Sequence, residues 1–134
     1  MNVEHLAAQK APETLKNFIA GRWVASSSSE TLAVPNPATE QILAHVSLSN
    51  AADVAAAVAG ARAAAHEWGE MPPPERATYL FKLREALLDN RDALTKLVTT
   101  ENGKVYSDAA GEVRRGIEVV DFACGAPTLL MGQN

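Results

Sequence analysis

Two adjacent arginines, Arg114 and Arg115, are the side chains of this sequence best suited to binding an anionic ligand. Their spacing also permits a purely structural role. Arg114 stands four residues before Glu118, and Arg115 stands three residues from both Glu112 and Glu118. Pairs at these spacings meet on a helix surface and contribute about 0.2–0.5 kcal/mol each. Exposed ion pairs and ligand binding therefore remain equal alternatives for the two residues.

Arg115 has the more favourable surroundings for a ligand. At about 100° per residue, it lies on the same side of a helix as Val119 and Phe122. A guanidinium among apolar groups is suited to holding a carboxylate through two parallel hydrogen bonds. Residue chemistry alone therefore supports Arg115 as one candidate anion-binding residue.

Cys124 is the only cysteine, so one chain can form neither an internal disulfide nor a multi-cysteine zinc site. This cysteine usage fits a reducing, cytoplasmic setting. Ala123 and Gly125 flank Cys124, and no Lys, Arg or His stands beside it to activate the thiol. We therefore predict a buried structural cysteine rather than a nucleophile.

The remaining polar residues indicate neither a metal site nor a phosphate-binding loop. His5, His45 and His66 are scattered and lack the spacing of neighbouring metal ligands. The eight glycines are isolated, so no glycine-rich loop follows a strand. Glu101 and Lys104 flank an Asn-Gly pair, and we interpret them as a solvated helix end rather than a ligand contact.

The composition is that of one globular domain of 134 residues, with 47% apolar and 21% charged residues. The net charge of −4 argues against a nucleic-acid partner. No segment approaches the roughly 18 apolar residues of a membrane span, and the N-terminus lacks a targeting pattern. We therefore expect neither nucleic acid nor membrane as a partner.

Short strands are predicted in the first part of the chain. Residues 1–14 lack periodicity and are predicted to form a flexible arm. Residues 15–24 favour two strands around a tight turn. Two further strands, at residues 31–34 and 41–46, flank a turn that contains two prolines. The predicted β-structure is thus two hairpins.

From residue 49 onward the apolar period becomes that of a helix. Ser49 or Asn50 can cap a first helix, which ends at Gly69. Three more helices follow. Their predicted landmarks are a first turn that contains Pro74 or Glu75, a buried face of Leu80, Leu83 and Leu87, an interruption near residues 89–90, a stop at Gly103 and a cap at Ser107.

The last predicted helix is apolar on two sides. One side consists of residues within about 40° of one another on the helical wheel, namely Val113, Ile117, Val120 and Cys124. The opposite side is the one that carries Arg115. A helix with two apolar sides expects neighbours on both, and residues 125–134 supply no further element. We therefore expect part of the protein to be missing from this sequence.

Three stretches resemble, in order and separation, the N-terminal segment of the aldehyde dehydrogenase superfamily. They are residues 17–24 (NFIAGRWV), 34–40 (VPNPATE) and 100–104 (TENGK). A fourth stretch, residues 111–127 (GEVRRGIEVVDFACGAP), is similar to the CoA-acylating methylmalonate-semialdehyde dehydrogenase branch. The likeness runs from about residue 15 to the end of the chain and covers only a minor part of the family's length.

The resemblance implies an α/β fold, to which this segment contributes two β-hairpins and about four helices. Residues 15–134 would be the N-terminal part of an NAD-binding domain. The family's catalytic cysteine, its oxyanion-hole asparagine and its NAD-binding loops would lie beyond Asn134. This chain alone is therefore expected to be inactive, with no catalytic, cofactor-binding or metal-binding residue of its own.

The resemblance also implies a reaction. In the family a thiolate attacks the aldehyde, a hydride passes to NAD, and the thioester is transferred to coenzyme A. With methylmalonate semialdehyde, an intermediate of valine catabolism, carbon dioxide is lost. Arg115 matches the arginine that holds the substrate carboxylate in this branch, whereas Cys124 does not match the nucleophile's motif. The whole enzyme would be a cytoplasmic homodimer or homotetramer.

Two alternatives remain open. The chain could belong to another aldehyde dehydrogenase branch, which uses NAD without coenzyme A. It could also be a non-catalytic helical interaction module, whose exposed apolar helix face binds a partner or a second copy.

Overall fold

The computed structural model describes residues 11–132, which divide into two compact units between residues 58 and 59. The strands of the first unit are β1 (Glu13–Leu15), β2 (Asn17–Ile19), β3 (Arg22–Val24), β4 (Thr31–Pro35) and β5 (Ile42–Ser47). Helix α1 (Ala51–Glu70) begins in the first unit and ends in the second. No helix within residues 11–132 combines the length and apolar character needed to cross a membrane.

The first unit contains a three-stranded sheet in the order β1-β5-β4. β1 pairs with β5 in parallel, and β4 pairs with β5 in antiparallel register with an irregularity at Val34 and Pro35. Asn36 shapes the β4–β5 turn, because its side-chain oxygen accepts a hydrogen bond of 2.9 Å from the backbone N–H of Ala38. The second predicted hairpin is thereby confirmed.

β2 and β3 form the first predicted hairpin. Its turn consists of Ala20 and Gly21, whose φ angles are 48° and 76°. Two-residue hairpin turns of this kind need the left-handed conformation at both positions, which glycine adopts without strain. Phe18 faces Trp23 across the two strands, with ring centroids 5.1 Å apart.

The predicted flexible arm of residues 1–14 is too long at its C-terminal end. Glu13 and Thr14 belong to β1 and pair with Ala44 and His45 of β5. Local periodicity could not indicate this strand, because it has only three residues and its partner strand lies far along the chain. Residues 1–10 of the predicted arm lie outside the described residues.

α1 begins after Asn50, one of the two predicted caps. The Asn50 side-chain oxygen accepts hydrogen bonds from the backbone N–H groups of Ala52 and Asp53, and the Asp53 carboxylate accepts one from the Asn50 N–H at 3.3 Å. This reciprocal arrangement is a capping box. Asp53 also accepts hydrogen bonds from the Ser26 hydroxyl and the Ser27 N–H, which lower the pKa of its carboxyl group.

The second unit is helical and continues with α2 (Pro73–Asp89), α3 (Arg91–Asn102), α4 (Tyr106–Cys124) and the short α5 (Ala126–Leu129). The predicted interruption falls at Asn90, between α2 and α3. α3 ends at Gly103, which has the predicted left-handed conformation with a φ of 79°. α4 packs against both α2 and α3. The four predicted helices correspond to α1–α4, and α5 adds one turn.

Two predicted helix landmarks are wrong. Ser107 is not a cap, because α4 already begins at Tyr106 and its N-cap position is the extended Val105, which offers no side-chain acceptor. Leu83 does not belong to the buried face of α2, since it is 46% exposed. Ala77 is the buried residue of α2, whereas Leu80 and Leu87 are half-buried, so the inward side of this helix keeps two of the three predicted leucines.

The core of the second unit consists mostly of small residues. Its buried residues are Ala77, Thr95, Ala109, Ile117 and Cys124. The Thr95 hydroxyl donates a hydrogen bond of 2.8 Å to the Arg91 carbonyl within α3, so this buried polar group is satisfied. Small side chains bury little apolar area each, and the described core is accordingly thin.

Candidate functional site

α4 has two different sides, as predicted. Ile117 and Cys124 on its inner side are 6% and 8% exposed. Val119 and Phe122 are 68% and 71% exposed, and Arg115, on the same side of the helix, is exposed as well. We call Arg115, Val119 and Phe122 the Arg115 face. It combines a cation with apolar surface, which suits a small ligand that has a carboxylate and a short apolar stem.

Both acidic residues that Arg115 could reach along α4 are engaged by other cations. Lys104 Nζ donates a hydrogen bond of 2.5 Å to Glu112 Oε1, and Arg114 Nε lies 3.5 Å from Glu118 Oε1. No ion pair formed among residues 11–132 includes Arg115. The Arg114–Glu118 pair considered from the sequence is thus present, whereas neither pair considered for Arg115 forms.

Glu112 lies in the field of two positive charges. The hydrogen bond from Lys104 and its charge lower the pKa of Glu112 below the ordinary value of 4.5, and the charge of Arg115 contributes in the same direction. Arg115 is therefore near Glu112 without forming an ion pair with it. Within the described part of the chain, its guanidinium keeps its donors free of protein carboxylates, as binding an external carboxylate requires.

The turn between α3 and α4 positions Lys104. Gly103 ends α3, Lys104 follows it directly, and α4 begins at Tyr106. Because α3 and α4 pack together, Lys104 reaches Glu112 in the second turn of α4. Lys104 was expected at a solvated helix end, but its side chain is only 25% exposed and contacts protein.

Sequence reasoning missed the Lys104–Glu112 pair. The two residues are eight apart, and rules for side-chain pairs within one helix cover only spacings of three and four. The one available signal was the Asn-Gly stop before Lys104, which predicts that the chain changes direction there. Neither the direction of α4 nor its distance from α3 follows from that signal.

Cys124 is a buried free thiol, and its predicted burial is confirmed. It lies on the side of α4 opposite the Arg115 face, so a ligand bound at that face does not meet its sulfur. The absence of a catalytic role for Cys124 stays a prediction, which its burial supports.

A cleft of about 440 Å³ lies between the first halves of α3 and α4. Arg91 and Arg114 are among the residues that line it, whereas Arg115 is not. Arg91 Nε lies 3.7 Å from Asp92 Oδ1, and Arg114 pairs with Glu118. The cations of this cleft are therefore partly neutralised, and the Arg115 face offers the freer positive charge.

The histidines do not converge. His45 lies in β5 and His66 in α1, whereas His5 falls outside the described residues. Side chains of His, Cys, Asp and Glu form no group of three or more that could hold a metal ion anywhere in residues 11–132. No glycine-rich turn leads from a strand into a helix in this range.

Comparison with known proteins places these features in a family. Residues 23–134 match the model of the aldehyde dehydrogenase family. Malonate-semialdehyde dehydrogenase 3 of Geobacillus kaustophilus (strain HTA426) is 56% identical over 121 residues, which are 90% of this chain and 25% of that protein. The malonate-semialdehyde dehydrogenase of Halalkalibacterium halodurans is likewise 56% identical over 121 residues, with the same coverage.

Solved structures agree with this placement. A methylmalonate-semialdehyde dehydrogenase of Sinorhizobium meliloti 1021, crystallised with NAD, superposes with a TM-score of 0.85 at 38% identity and covers 90% of this chain and 25% of its own. The lactaldehyde dehydrogenase of Escherichia coli superposes with a TM-score of 0.80 at 27% identity, over 84% of this chain and 24% of its own. These neighbours confirm the α/β fold that the resemblance implied.

The chain spans about a quarter of the length of the curated relatives it matches. Within that span, the motifs quoted from the sequence indicated the right superfamily. The similarity of residues 111–127 to semialdehyde dehydrogenases also agrees with the names of these relatives. Since the family model covers the chain from β3 to its last residue, the chain belongs to the aldehyde dehydrogenase family.

Proposed function

We propose that this chain is the N-terminal part of an NAD-dependent, CoA-acylating semialdehyde dehydrogenase that acts on methylmalonate semialdehyde or malonate semialdehyde. The reaction converts the aldehyde to an acyl-CoA and releases the substrate carboxylate as carbon dioxide. The observation that carries the proposal is Arg115, an exposed guanidinium without a protein carboxylate on a partly apolar helix face.

The chemistry of such a substrate fits the Arg115 face. Arg115 can donate two parallel hydrogen bonds to the carboxylate. Val119 and Phe122, about one and two turns further along α4, offer apolar surface to the methyl group of methylmalonate semialdehyde. An aldehyde without a carboxylate would leave the guanidinium without a partner, so this face distinguishes the two kinds of aldehyde.

NAD and coenzyme A are proposed as the cofactors of the whole enzyme. When bound, NAD supplies a hydride acceptor and coenzyme A supplies an acyl acceptor. A relative crystallised with NAD supports the first cofactor, and the resemblance to the acylating branch supports the second. This segment contributes the substrate contact, and its buried Cys124 is expected to contribute no nucleophile.

Substitution of Arg115 in the whole enzyme tests the proposal. Arg115→Ala is expected to lower kcat/KM for methylmalonate semialdehyde about ten- to hundredfold, because hydrogen bonds to charged groups contribute about 1.5–3 kcal/mol. Propanal, which has hydrogen in place of the carboxylate, should lose less than about twofold. The matched control is Arg91→Ala, which removes an exposed arginine of α3 and should leave both values unchanged.

Two results would contradict parts of the proposal. Equal losses for both aldehydes in Arg115→Ala would remove the role assigned to this residue. Mass spectrometry of the products tests the cofactors separately, since propionyl-CoA is expected from methylmalonate semialdehyde, NAD and coenzyme A. A free acid formed without dependence on coenzyme A would instead place the enzyme in a non-acylating branch.

We further infer a cytoplasmic homodimer or homotetramer as the working form of the whole enzyme. A free, buried thiol is consistent with a reducing compartment. Exposed apolar residues outside the Arg115 face, among them Leu129, Leu130 and Met131, leave apolar surface for the rest of the enzyme to cover. Light scattering of the whole enzyme measures the number of subunits.

A further inference from the structure

We propose that Lys104 is a specificity-determining residue, which occupies Glu112 and thereby leaves Arg115 free to bind the substrate carboxylate. The inference rests on the proposed function, since it takes Arg115 as the carboxylate-binding residue. Lys104 acts through Glu112 rather than through the substrate, and it is therefore a positioning residue.

The first step concerns the spacing of Glu112 and Arg115. They lie three residues apart on α4, a spacing at which acidic and basic side chains pair on a helix surface. In the structure they do not pair, although Glu112 lies within the field of Arg115. Something must hold the carboxylate elsewhere, and the Lys104 ammonium group does so.

The second step concerns the strength of that contact. The Lys104–Glu112 hydrogen bond measures 2.5 Å, and the two side chains are 25% and 43% exposed. The Arg114–Glu118 pair is longer, at 3.5 Å, and its side chains are 73% and 59% exposed. Less exposed charges are less screened by water and salt. The Lys104–Glu112 pair is thus the better able to withstand competition from Arg115.

The third step concerns competition at the guanidinium. Two cations, Lys104 and Arg115, lower the pKa of Glu112. When Lys104 is removed, Arg115 is the one of these two cations that remains near the Glu112 carboxylate. The substrate carboxylate then has to displace a carboxylate that is tethered to the same helix. Its apparent affinity falls, whereas an aldehyde without a carboxylate is unaffected.

Three variants of the whole enzyme test this inference. Lys104→Met keeps a long unbranched side chain without its charge and is expected to raise KM for methylmalonate semialdehyde about two- to fivefold. KM for propanal should stay within about twofold. The double variant Lys104→Met/Glu112→Gln has the net charge of the wild type and should restore KM, because no carboxylate remains to compete. Glu112→Gln alone should leave KM within about twofold.

A merely structural role for Lys104 predicts a different pattern. The ion pair is absent from both the single and the double variant, so the double variant would then be no better than Lys104→Met. That result, or an unchanged KM in Lys104→Met, would overturn the inference. If Lys104→Met does not fold, Lys104→Gln provides the same comparison.

Arg115→Ala separates this inference from the proposed function. If Arg115→Ala selectively lowers kcat/KM for the carboxylated substrate but the double variant does not restore KM, only the role of Lys104 is rejected. If Arg115→Ala lowers kcat/KM equally for both aldehydes, the proposed function itself is rejected.

Discussion

Lys104 and Glu112 connect the end of α3 to the second turn of α4 through a hydrogen bond of 2.5 Å. The pair belongs to no single helix, because it crosses the turn that Gly103 creates. It therefore has two effects. It holds the start of α4 against the end of α3, and it keeps one carboxylate away from Arg115.

The stability of the chain in acid should depend on this pair. The hydrogen bond from Lys104 is the largest cause that lowers the pKa of Glu112 from 4.5 in the folded state. A lowered folded-state pKa gives stability that is present above the unfolded value and is lost as the pH falls through the folded value. Melting followed by circular dichroism should therefore show a shallower loss of Tm for Lys104→Met than for the wild type below about pH 4.5.

Glu112→Gln is the matched control for that experiment. It removes the titrating group itself, so its Tm should fall with pH no more steeply than that of Lys104→Met, in which Glu112 can still interact with Arg115. Parallel profiles for the wild type and both variants would show that the pair makes no pH-dependent contribution.

Alanine substitutions at Gly103 and Gly116 should change the free energy of unfolding in opposite directions. Gly103 has a φ of 79°, where an alanine side chain is strained, so Gly103→Ala should destabilise the chain by about 1 kcal/mol. Gly116 lies inside α4 with open space where a Cβ would stand, so Gly116→Ala should stabilise it by up to about 1 kcal/mol. Urea unfolding measures both values, and a stabilising Gly103→Ala would contradict the assigned conformation.

Much of the fold could be predicted because its signals are local. Asn50 caps α1 through bonds to residues two and three positions later, and Gly103 ends α3 through its own backbone conformation. The hairpin turn at Ala20 and Gly21 is equally local. Such features depend on a few neighbouring residues, so the order of residue types is enough to indicate them.

Alanine substitutions at Asn50 and Ser107 should differ in their effect on stability, although both residues were candidate helix caps. Asn50→Ala removes a side-chain oxygen that accepts two hydrogen bonds at the start of α1, and should destabilise the chain by about 1 kcal/mol. Ser107 lies inside α4, so Ser107→Ala should change the free energy of unfolding by less than about 0.5 kcal/mol. Urea unfolding of both variants measures the difference, and equal losses would restore Ser107 as a cap.

The features that could not be predicted depend on distant parts of the chain. β1 at Glu13 forms because β5 supplies its hydrogen-bond partners. The inward side of α2 is set by its packing against α4, which places Ala77 rather than Leu83 inside. The absence of an ion pair at Arg115 within the described residues also depends on a distant part of the chain. The spacing of Arg115 and Glu112 predicts a pair, but Lys104 approaches from the end of α3 and binds Glu112 instead.

The backbone conformation of Gly103 bears on the proposed substrate contact of Arg115. Its left-handed torsion angle fixes where the chain leaves α3 and so where the next residue, Lys104, begins. On the proposed function, the φ angle of Gly103 sets the position of the Lys104 ammonium group. That ammonium group in turn decides whether the Arg115 guanidinium contacts the Glu112 carboxylate or the substrate carboxylate. On that proposal, replacing Gly103 is expected to change the discrimination between charged and neutral aldehydes as well as the stability of the chain.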